Sequence, residues 1–253
     1  PTNNIGNLYN EIYGRPKTAL DYYYRSYEIS EKYGLTSMQA TFLNNIGEVY
    51  FTLQDYESAK EYLLKATELG KVTGDKRLSF LSTVNLGMVY LKTEKLKEAI
   101  EIYLLIREKN KNEPILDKEI NIHYTNFLGE YYLSIGDNIS SKMFSTVSME
   151  RSREMSIKNY LTNKSRSFYL DSFENEYLDM DVYFELLDEF KAKGGDYQKT
   201  HFVLLSTTLA MRLGNYDAAK EIIGEISNIN SQEALKLFMD DYEIIKRLLS
   251  RNK

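Results

Sequence analysis

A glycine motif that recurs at almost constant spacing constrains the fold more than any other feature of this sequence. The motif consists of a Leu or Ile, the glycine, two variable residues and a Tyr. It occurs four times, with its glycine at Gly6, Gly47, Gly87 and Gly129. The spacings are therefore 41, 40 and 42 residues. A small residue follows each glycine by 12 or 13 positions, at Ala19, Ala59, Ala99 and Ser141. Residues 213–219 match residues 53–59 at an offset of 160, which is four repeat lengths. A fixed period of this length predicts a repeat architecture.

Each repeat is predicted to be a pair of helices. Positions i, i+3, i+4 and i+7 share one face of an α-helix, and this spacing joins Leu43, Ile46, Gly47 and Tyr50. A glycine inside a helix costs about 1 kcal/mol relative to Ala, so we expect another helix to approach closely there. Ala59 is the small residue expected to face Gly47. Each hairpin then has one apolar face that only its neighbours can cover.

These residues resemble the tetratricopeptide repeat family. The resemblance rests on the Leu/Ile-Gly-x-x-Tyr pattern and on the Tyr-x-x-Ala that opens the second helix, as in residues 56–59. It is strong over 1–145 and good over 196–228. It implies an all-α, right-handed solenoid of about six helical hairpins plus a C-terminal capping helix. The period of 40 exceeds the family's usual 34, so we expect longer second helices, as in peptide-pheromone receptors and diguanylate cyclases that carry this repeat.

The whole chain, 1–253, is predicted to form a single solenoid. The expected hairpins span 1–34, 35–74, 75–112, 113–158, 159–194 and 195–229, and an amphipathic terminal helix spans 231–250. Because the sequence opens at Pro1 without Met, we expect it to be a fragment of a longer protein.

One stretch, 146–195, lacks the glycine motif and is crowded with aromatic residues. Seven of them are Phe168, Tyr169, Phe173, Tyr177, Tyr183, Phe184 and Phe190. Buried aromatic side chains usually pack together, which favours a degenerate repeat with a bulkier core. A specialised ligand pocket is the alternative.

Composition narrows the function classes. The net charge is −5, which argues against nucleic acid as the ligand, because phosphate contacts need clustered positive charge. No apolar run reaches the ~18 residues of a membrane-spanning helix, so we expect no membrane partner. With no cysteine and two histidines, the chain offers little for catalysis or metal binding. We therefore expect a cytoplasmic protein that is not an enzyme and uses no cofactor or metal, with a homodimer left open.

In the resembled family the first helices line a concave surface that binds a peptide or partner protein. We numbered each first helix with its glycine as position eight. The positions that face this surface in the resembled family are then the candidate binding residues. They are Asn44, Glu48, Phe51, Val84, Met88, Leu91, His123, Asn126, Glu130, His201, Leu204, Thr208, Met211 and Arg212. An Asn amide can both donate to and accept from a peptide backbone. Asn45 and Asn85 are expected to pack or to bond between helices rather than to contact the ligand.

The sequence thus predicts a binding module, and three roles remain open. The favoured one is a sensory or docking domain of a bacterial intracellular signalling or regulatory protein, in which a bound peptide changes the curvature of the array. A passive scaffold for complex assembly is the second. The third is the regulatory domain of a diguanylate cyclase or of a peptide-responsive transcription regulator.

Overall fold

Helices follow one another along the whole described chain, with no strand within it. The computed structural model describes residues 2–13, 15–112, 117–229 and 238–251. The helices are α1 (Thr2–Asn7) with a π-helical segment (Leu8–Ile12), α2 (Pro16–Lys32), α3 (Thr36–Thr52), α4 (Tyr56–Val72), α5 (Lys76–Lys92), α6 (Leu96–Asn112), α7 (Lys118–Ser134), α8 (Asn138–Ser152), α9 (Ile157–Glu174), α10 (Met180–Lys193), α11 (Asp196–Arg212), α12 (Tyr216–Gly224) with a 3-10 turn (Glu225–Asn228), and α13 (Met239–Arg251).

In the described part of the chain, consecutive helices pack into six pairs, and the pairs stack in chain order. The predicted all-α solenoid is therefore confirmed. Helices α3 to α6 each have 17 residues, and three-residue turns separate them. The 40-residue period is thus divided equally between first and second helices, and the second helices are not the longer ones.

The turns are specified by local sequence. The side chain of Asp55 accepts a hydrogen bond from the backbone N–H of Ser58, and Asp75, Asp117, Asp137 and Asn215 cap their helices in the same way. Such N-caps satisfy backbone donors that have no partner inside the helix. The turn residues Gln54 and Glu94 have φ of 60° and 56°, a left-handed conformation that the equivalent Gly136 and Gly214 adopt without strain.

The repeated glycines lie where helices touch. A Cβ atom on Gly47 would lie 2.7 Å from Leu63 Cγ, and one on Gly87 would lie 2.7 Å from Phe127 Cε2. The predicted close approach is confirmed. The nearest side chain to Gly47 is Leu63, however, and Ala59 meets it through its backbone oxygen.

The fourth repeat glycine has a polar neighbour instead. A Cβ on Gly129 would lie 2.5 Å from Arg166 Nη1, and the second helix of this pair, α8, presents serines where other pairs present apolar residues. Four of them are completely buried: Ser141, Ser145, Ser148 and Ser152. The fourth and fifth pairs therefore meet across a polar interface.

The segment without the glycine motif forms the fifth pair, α9 and α10. Phe168, Tyr183 and Phe190 are buried in one apolar cluster with Phe202, which agrees with a degenerate repeat that has a bulkier core. Phe173 and Tyr177 are exposed. Residues 230–237, where the predicted terminal helix begins, lie outside the described part, and α13 packs against α11 and α12.

Candidate functional site

A cavity of about 920 Å³ occupies the concave side of the solenoid. The first helix of every pair contributes to its wall: α1 with the π-helical segment, α3, α5, α7, α9 and α11. The second helices contribute less, with Tyr23, Tyr56, Leu63 and Phe190. The π-helical segment also contacts α9. The array therefore curls far enough to bring its first and fifth pairs together around the cavity.

An amide and carboxylate network forms the wall from the second to the fourth pair. Asn85 Nδ2 donates to Asn44 Oδ1 at 3.1 Å and to Glu48 Oε1 at 2.6 Å, and Asn44 Nδ2 also donates to Glu48 at 3.0 Å. His123 Nδ1 lies 3.1 Å from Asn85 Oδ1. Because an amide oxygen only accepts, that imidazole nitrogen is the donor. The role predicted for Asn85, a bond between helices, is confirmed, although this residue also borders the cavity.

Glu130 is the centre of a second network. Arg166 Nη2 lies 2.5 Å from its Oε1 atom, and Lys92 Nζ lies 3.2 Å from Oε2. Arg166 also donates to Asn126 Oδ1 and Ser145 Oγ, both at 3.1 Å. Burial acts to raise the pKa of Glu130, but the attraction of Arg166 and then of Lys92 outweighs it. The pKa of Glu130 is therefore held well below its usual range, and the carboxylate is charged at neutral pH.

One bond crosses the cavity between residues far apart in sequence. Lys158 Nζ, at the start of α9, donates to Thr52 Oγ1, at the end of α3, over 2.8 Å. Within the described chain, neither Lys158 nor Arg212 lies within ion-pair distance of a carboxylate. Arg212 donates instead to the Tyr169 hydroxyl at 3.1 Å. Both cations border the cavity, so both are available to an acidic group.

Helix α11, which is the first helix of the sixth pair, borders one end of the cavity. The His201 ring lies 5.9 Å from the Phe238 ring, and Phe190 stacks on Phe202 at 4.5 Å. The His201 side chain is exposed to the cavity, but protein surrounds it closely. Desolvation and then the charge of Lys92 lower its pKa to about 4, so the imidazole is neutral at pH 7.

The structure brings nine of the fourteen candidate residues to the cavity wall. They are Glu48, Phe51, Met88, His123, Asn126, Glu130, His201, Thr208 and Arg212.

The other five candidates lie away from the wall, for identifiable reasons. Val84 and Leu204 are buried in apolar clusters, and Asn44 is buried within its hydrogen bonds to Glu48 and Asn85. Leu91 and Met211 pack against the sides of apolar clusters. None of these five residues borders the cavity, so the structure does not bring them into the candidate site.

Three of the first helices, α3, α5 and α11, bring residues next to the predicted ones into the wall. Where the register named Asn44, Val84 and Leu204, the wall instead contains the next residues, Asn45, Asn85 and Leu205. In the same way, Lys92 replaces Leu91, and Thr52 joins Phe51. Successive helical residues are 100° apart, so a rotation smaller than one residue step exchanges them. Lys158 and Arg166 were missed because their segment has no glycine from which to count.

These observations define a class: an α-solenoid of helical hairpins with a polar concave cavity. The sequence model of the tetratricopeptide repeat matches residues 2–71 and again 38–108. The two matches together cover residues 2–108, so this part of the chain carries tetratricopeptide repeats, which are protein-interaction modules.

Known proteins that are similar to this chain include a sequence relative and a solved structure. The mitochondrial tetratricopeptide repeat protein 19 homolog of Drosophila melanogaster is 41% identical over 59 residues, which are 23% of this chain and 16% of that protein. The chain thus spans a small part of that relative. A crystal structure of Rap protein complexed with competence and sporulation factor superimposes with a TM-score of 0.62, at 14% identity, over 95% of this chain and 72% of that one. At this identity the likeness concerns the fold.

Among the described residues, no group of three or more His, Asp and Glu side chains is arranged to hold a metal ion. None of the helices in the described part combines the length and the apolar character needed to cross a bilayer.

Proposed function

We propose that this chain binds a peptide, either free or as a segment of a partner protein, in its concave cavity. The observation that carries the proposal is that all six helix pairs contribute side chains to one cavity of about 920 Å³. Ligand pockets commonly have ~300–1,000 Å³, so this cavity is at the large end. A ligand that fills it would touch every pair at once.

The wall chemistry suits a peptide. Amides such as Asn45 and Asn126 can bond both the N–H and the C=O groups of a ligand backbone. Met88 and Phe51 offer apolar contact, and Lys158 and Arg212 can attract a carboxylate. A polyanion such as a nucleic acid fits less well, because Glu48 and Glu130 also border the cavity and would repel its phosphates.

The fold comparison supports the same proposal. One similar solved structure is of Rap protein in complex with competence and sporulation factor, so an array of this fold accommodates a ligand. We propose by analogy that this chain is the sensory or docking part of a regulatory protein. A bacterial signalling role belongs to this proposal.

A switching module is favoured over a passive scaffold by the contacts across the cavity. The bond from Lys158 to Thr52 and the contact of the π-helical segment with α9 connect distant pairs. A ligand that entered between these pairs would alter their separation, and stacked repeats transmit such a change along the array.

Selection from a displayed library of random peptides tests the proposal. We expect peptides that bind the 253-residue chain and lose binding to Thr208→Trp, in which an indole occupies the cavity. The outer-surface change Lys220→Trp, on the exposed side of α12, is the matched control and should leave binding unchanged. Selected peptides that bind wild type and Thr208→Trp equally would show that the cavity is not the binding site.

A further inference from the structure

The outer side of α8 carries three apolar residues in a row. Ile139 follows the capping residue Asp137 by two positions, and Met143 and Val147 follow at intervals of four. Residues four apart are neighbours on one side of a helix, so these three form a continuous outer stripe. The side chains of Ile139 and Met143 are 82% and 53% exposed, and Val147 is half-buried. The outer stripe is therefore an apolar surface that faces water.

The other five second helices carry charges at the same positions. Counted from the residue before each helix, fourteen of the fifteen equivalent positions are Lys, Arg, Asp or Glu, and the exception is Leu105. These positions are Lys17, Asp21 and Arg25; Glu57, Glu61 and Lys65; Lys97, Glu101 and Leu105; Asp181, Glu185 and Glu189; and Asp217, Glu221 and Glu225. The side of a helix that faces water is normally polar. A contiguous exposed apolar surface on one helix alone indicates an interaction site.

The inner side of α8 is polar instead. It carries the four completely buried serines described above, and Ser141 Oγ donates to the backbone oxygen of Gly129 over 2.8 Å. An amphipathic helix normally turns its apolar side inward, and α8 has the opposite arrangement. Because Ile139 and Met143 are exposed, they add little to the packing of α8 within the described chain. Their burial requires another molecule.

We propose that the outer stripe binds a second copy of this chain, with the two α8 helices antiparallel across a two-fold axis at Met143. Residues equally far before and after Met143 then face each other, so Ile139 of each copy packs against Val147 of the other. Two stiff β-branched side chains thus flank a flexible methionine that can adapt to its own copy. The next outward residue, Glu150, falls opposite Gly136 of the second copy, which has no side chain, and its carboxylate remains solvated at the rim.

A charged partner fits the outer stripe less well. A charge buried against apolar side chains without a counter-charge is costly, and none of the three stripe residues can supply one. The charged outer sides of the other second helices are poor partners for the same reason, whereas the stripe of a second copy is an uncharged match. This inference is independent of the proposed peptide binding, because α8 supplies no side chain to the wall of the concave cavity.

Sedimentation velocity of the 253-residue chain over a range of concentrations tests the proposal. A contact made by one helix face is smaller than the ~800 Å² per partner of stable complexes, so we expect a dimer that dissociates on dilution. Met143→Glu brings two carboxylates together at the axis and should raise the dissociation constant of the dimer at least about tenfold. The matched control is Leu105→Glu, which changes an exposed leucine on α6 and should leave that constant unchanged.

Cross-linking tests the position of the axis. The chain has no cysteine, so a short bis-maleimide should join Met143→Cys to its own copy and should not join Glu221→Cys, which changes the equivalent position of α12. A dimer that Met143→Cys does not cross-link would overturn the axis at Met143.

Circular dichroism melting curves establish that the variants fold, and Ile139→Glu takes the place of Met143→Glu if that variant does not. A wild-type chain that stays monomeric at every concentration would overturn the proposal, including the case in which a different protein covers the stripe. Equal dissociation constants for Met143→Glu and Leu105→Glu would overturn it as well.

Discussion

The guanidinium of Arg166 lies 2.5 Å from the carboxylate of Glu130 and thereby joins the fifth helix pair to the fourth. The side chain of Arg166 is 4% exposed and that of Glu130 is 15% exposed. Breaking a buried pair by removing one partner costs up to about 3–5 kcal/mol, and without Arg166 the Glu130 carboxylate would keep only Lys92 as a charged partner. We therefore expect Arg166→Leu to lower the free energy of unfolding by that amount in urea titrations.

The control for Arg166 is the exposed ion pair of Lys142 with Asp171, whose side chains are 40% and 48% exposed. Exposed pairs contribute at most about 1 kcal/mol, so Lys142→Ala should change stability little. Equal losses in the two variants would mean that the Arg166 network does not hold the pairs together.

Packing at Gly87 gives a second prediction. A side chain there would collide with Phe127 and Ile102, so Gly87→Leu should force the helices apart and cost about 1–3 kcal/mol or more. Gly224 has open space around its Cβ position, and Gly224→Ala should be neutral or slightly stabilising. Thermal melts measure both, and an unchanged melting temperature for Gly87→Leu would refute the close-approach argument.

Glu94 provides a stabilising change. Its φ of 56° is a left-handed conformation that costs a residue with a Cβ roughly 1–2 kcal/mol. Glu94→Gly should remove that strain and raise the free energy of unfolding by about 1 kcal/mol. The same substitution at Glu101, inside α6, should lower it by about 1 kcal/mol. Opposite signs in chemical denaturation are the expected result, and two losses would contradict it.

His201 makes stability depend on pH. Its pKa is lowered from 6.5 to about 4 in the folded chain, so between these values the unfolded chain binds a proton that the folded chain does not. Stability therefore falls as pH drops from about 6.5 towards 4. His201→Gln should remove this part of the slope in unfolding curves measured across that range. Identical slopes for variant and wild type would contradict the prediction.

Closure of the array can be measured directly. Lys158→Met removes the bond to Thr52, and because that bond is only partly buried we expect a stability loss of no more than about 1.5 kcal/mol. The distance between the second and fifth pairs should nevertheless widen. The chain has no cysteine, so Ser37→Cys and Asp188→Cys allow spin labels to report that distance. An unaltered distance distribution would show that the bond does not control closure.

The fold was predictable because the regularly spaced glycines mark the same close contact between helices in successive pairs. Gly47 and Gly87 must accept a neighbouring helix at the same point of each pair, and a recurring steric requirement leaves a recurring sequence. The cavity wall was only partly predictable, because the side chains that face it depend on helix rotations smaller than one residue step. That difference separates Asn44, which is buried, from Asn45, which borders the cavity.

The charged part of the wall was the least predictable. Arg166 and Lys158 belong to the pair that lacks the glycine motif, and their partners Glu130 and Thr52 lie 36 and 106 residues away. Only the curvature of the complete array brings them together. No local pattern records that curvature, since it accumulates from small angles at each interface.

The π-helical segment of the first pair contacts α9 of the fifth pair. This contact requires a fixed number of helix pairs between them. Repeat arrays can usually be lengthened by inserting another unit, because each unit touches only its neighbours. Here an extra 40-residue pair between α6 and α7 would carry α9 past the first pair, and the ring would open into a spiral. The contact between the first and fifth pairs therefore sets the circumference of the cavity, and we expect a lengthened copy to keep its fold and lose its cavity.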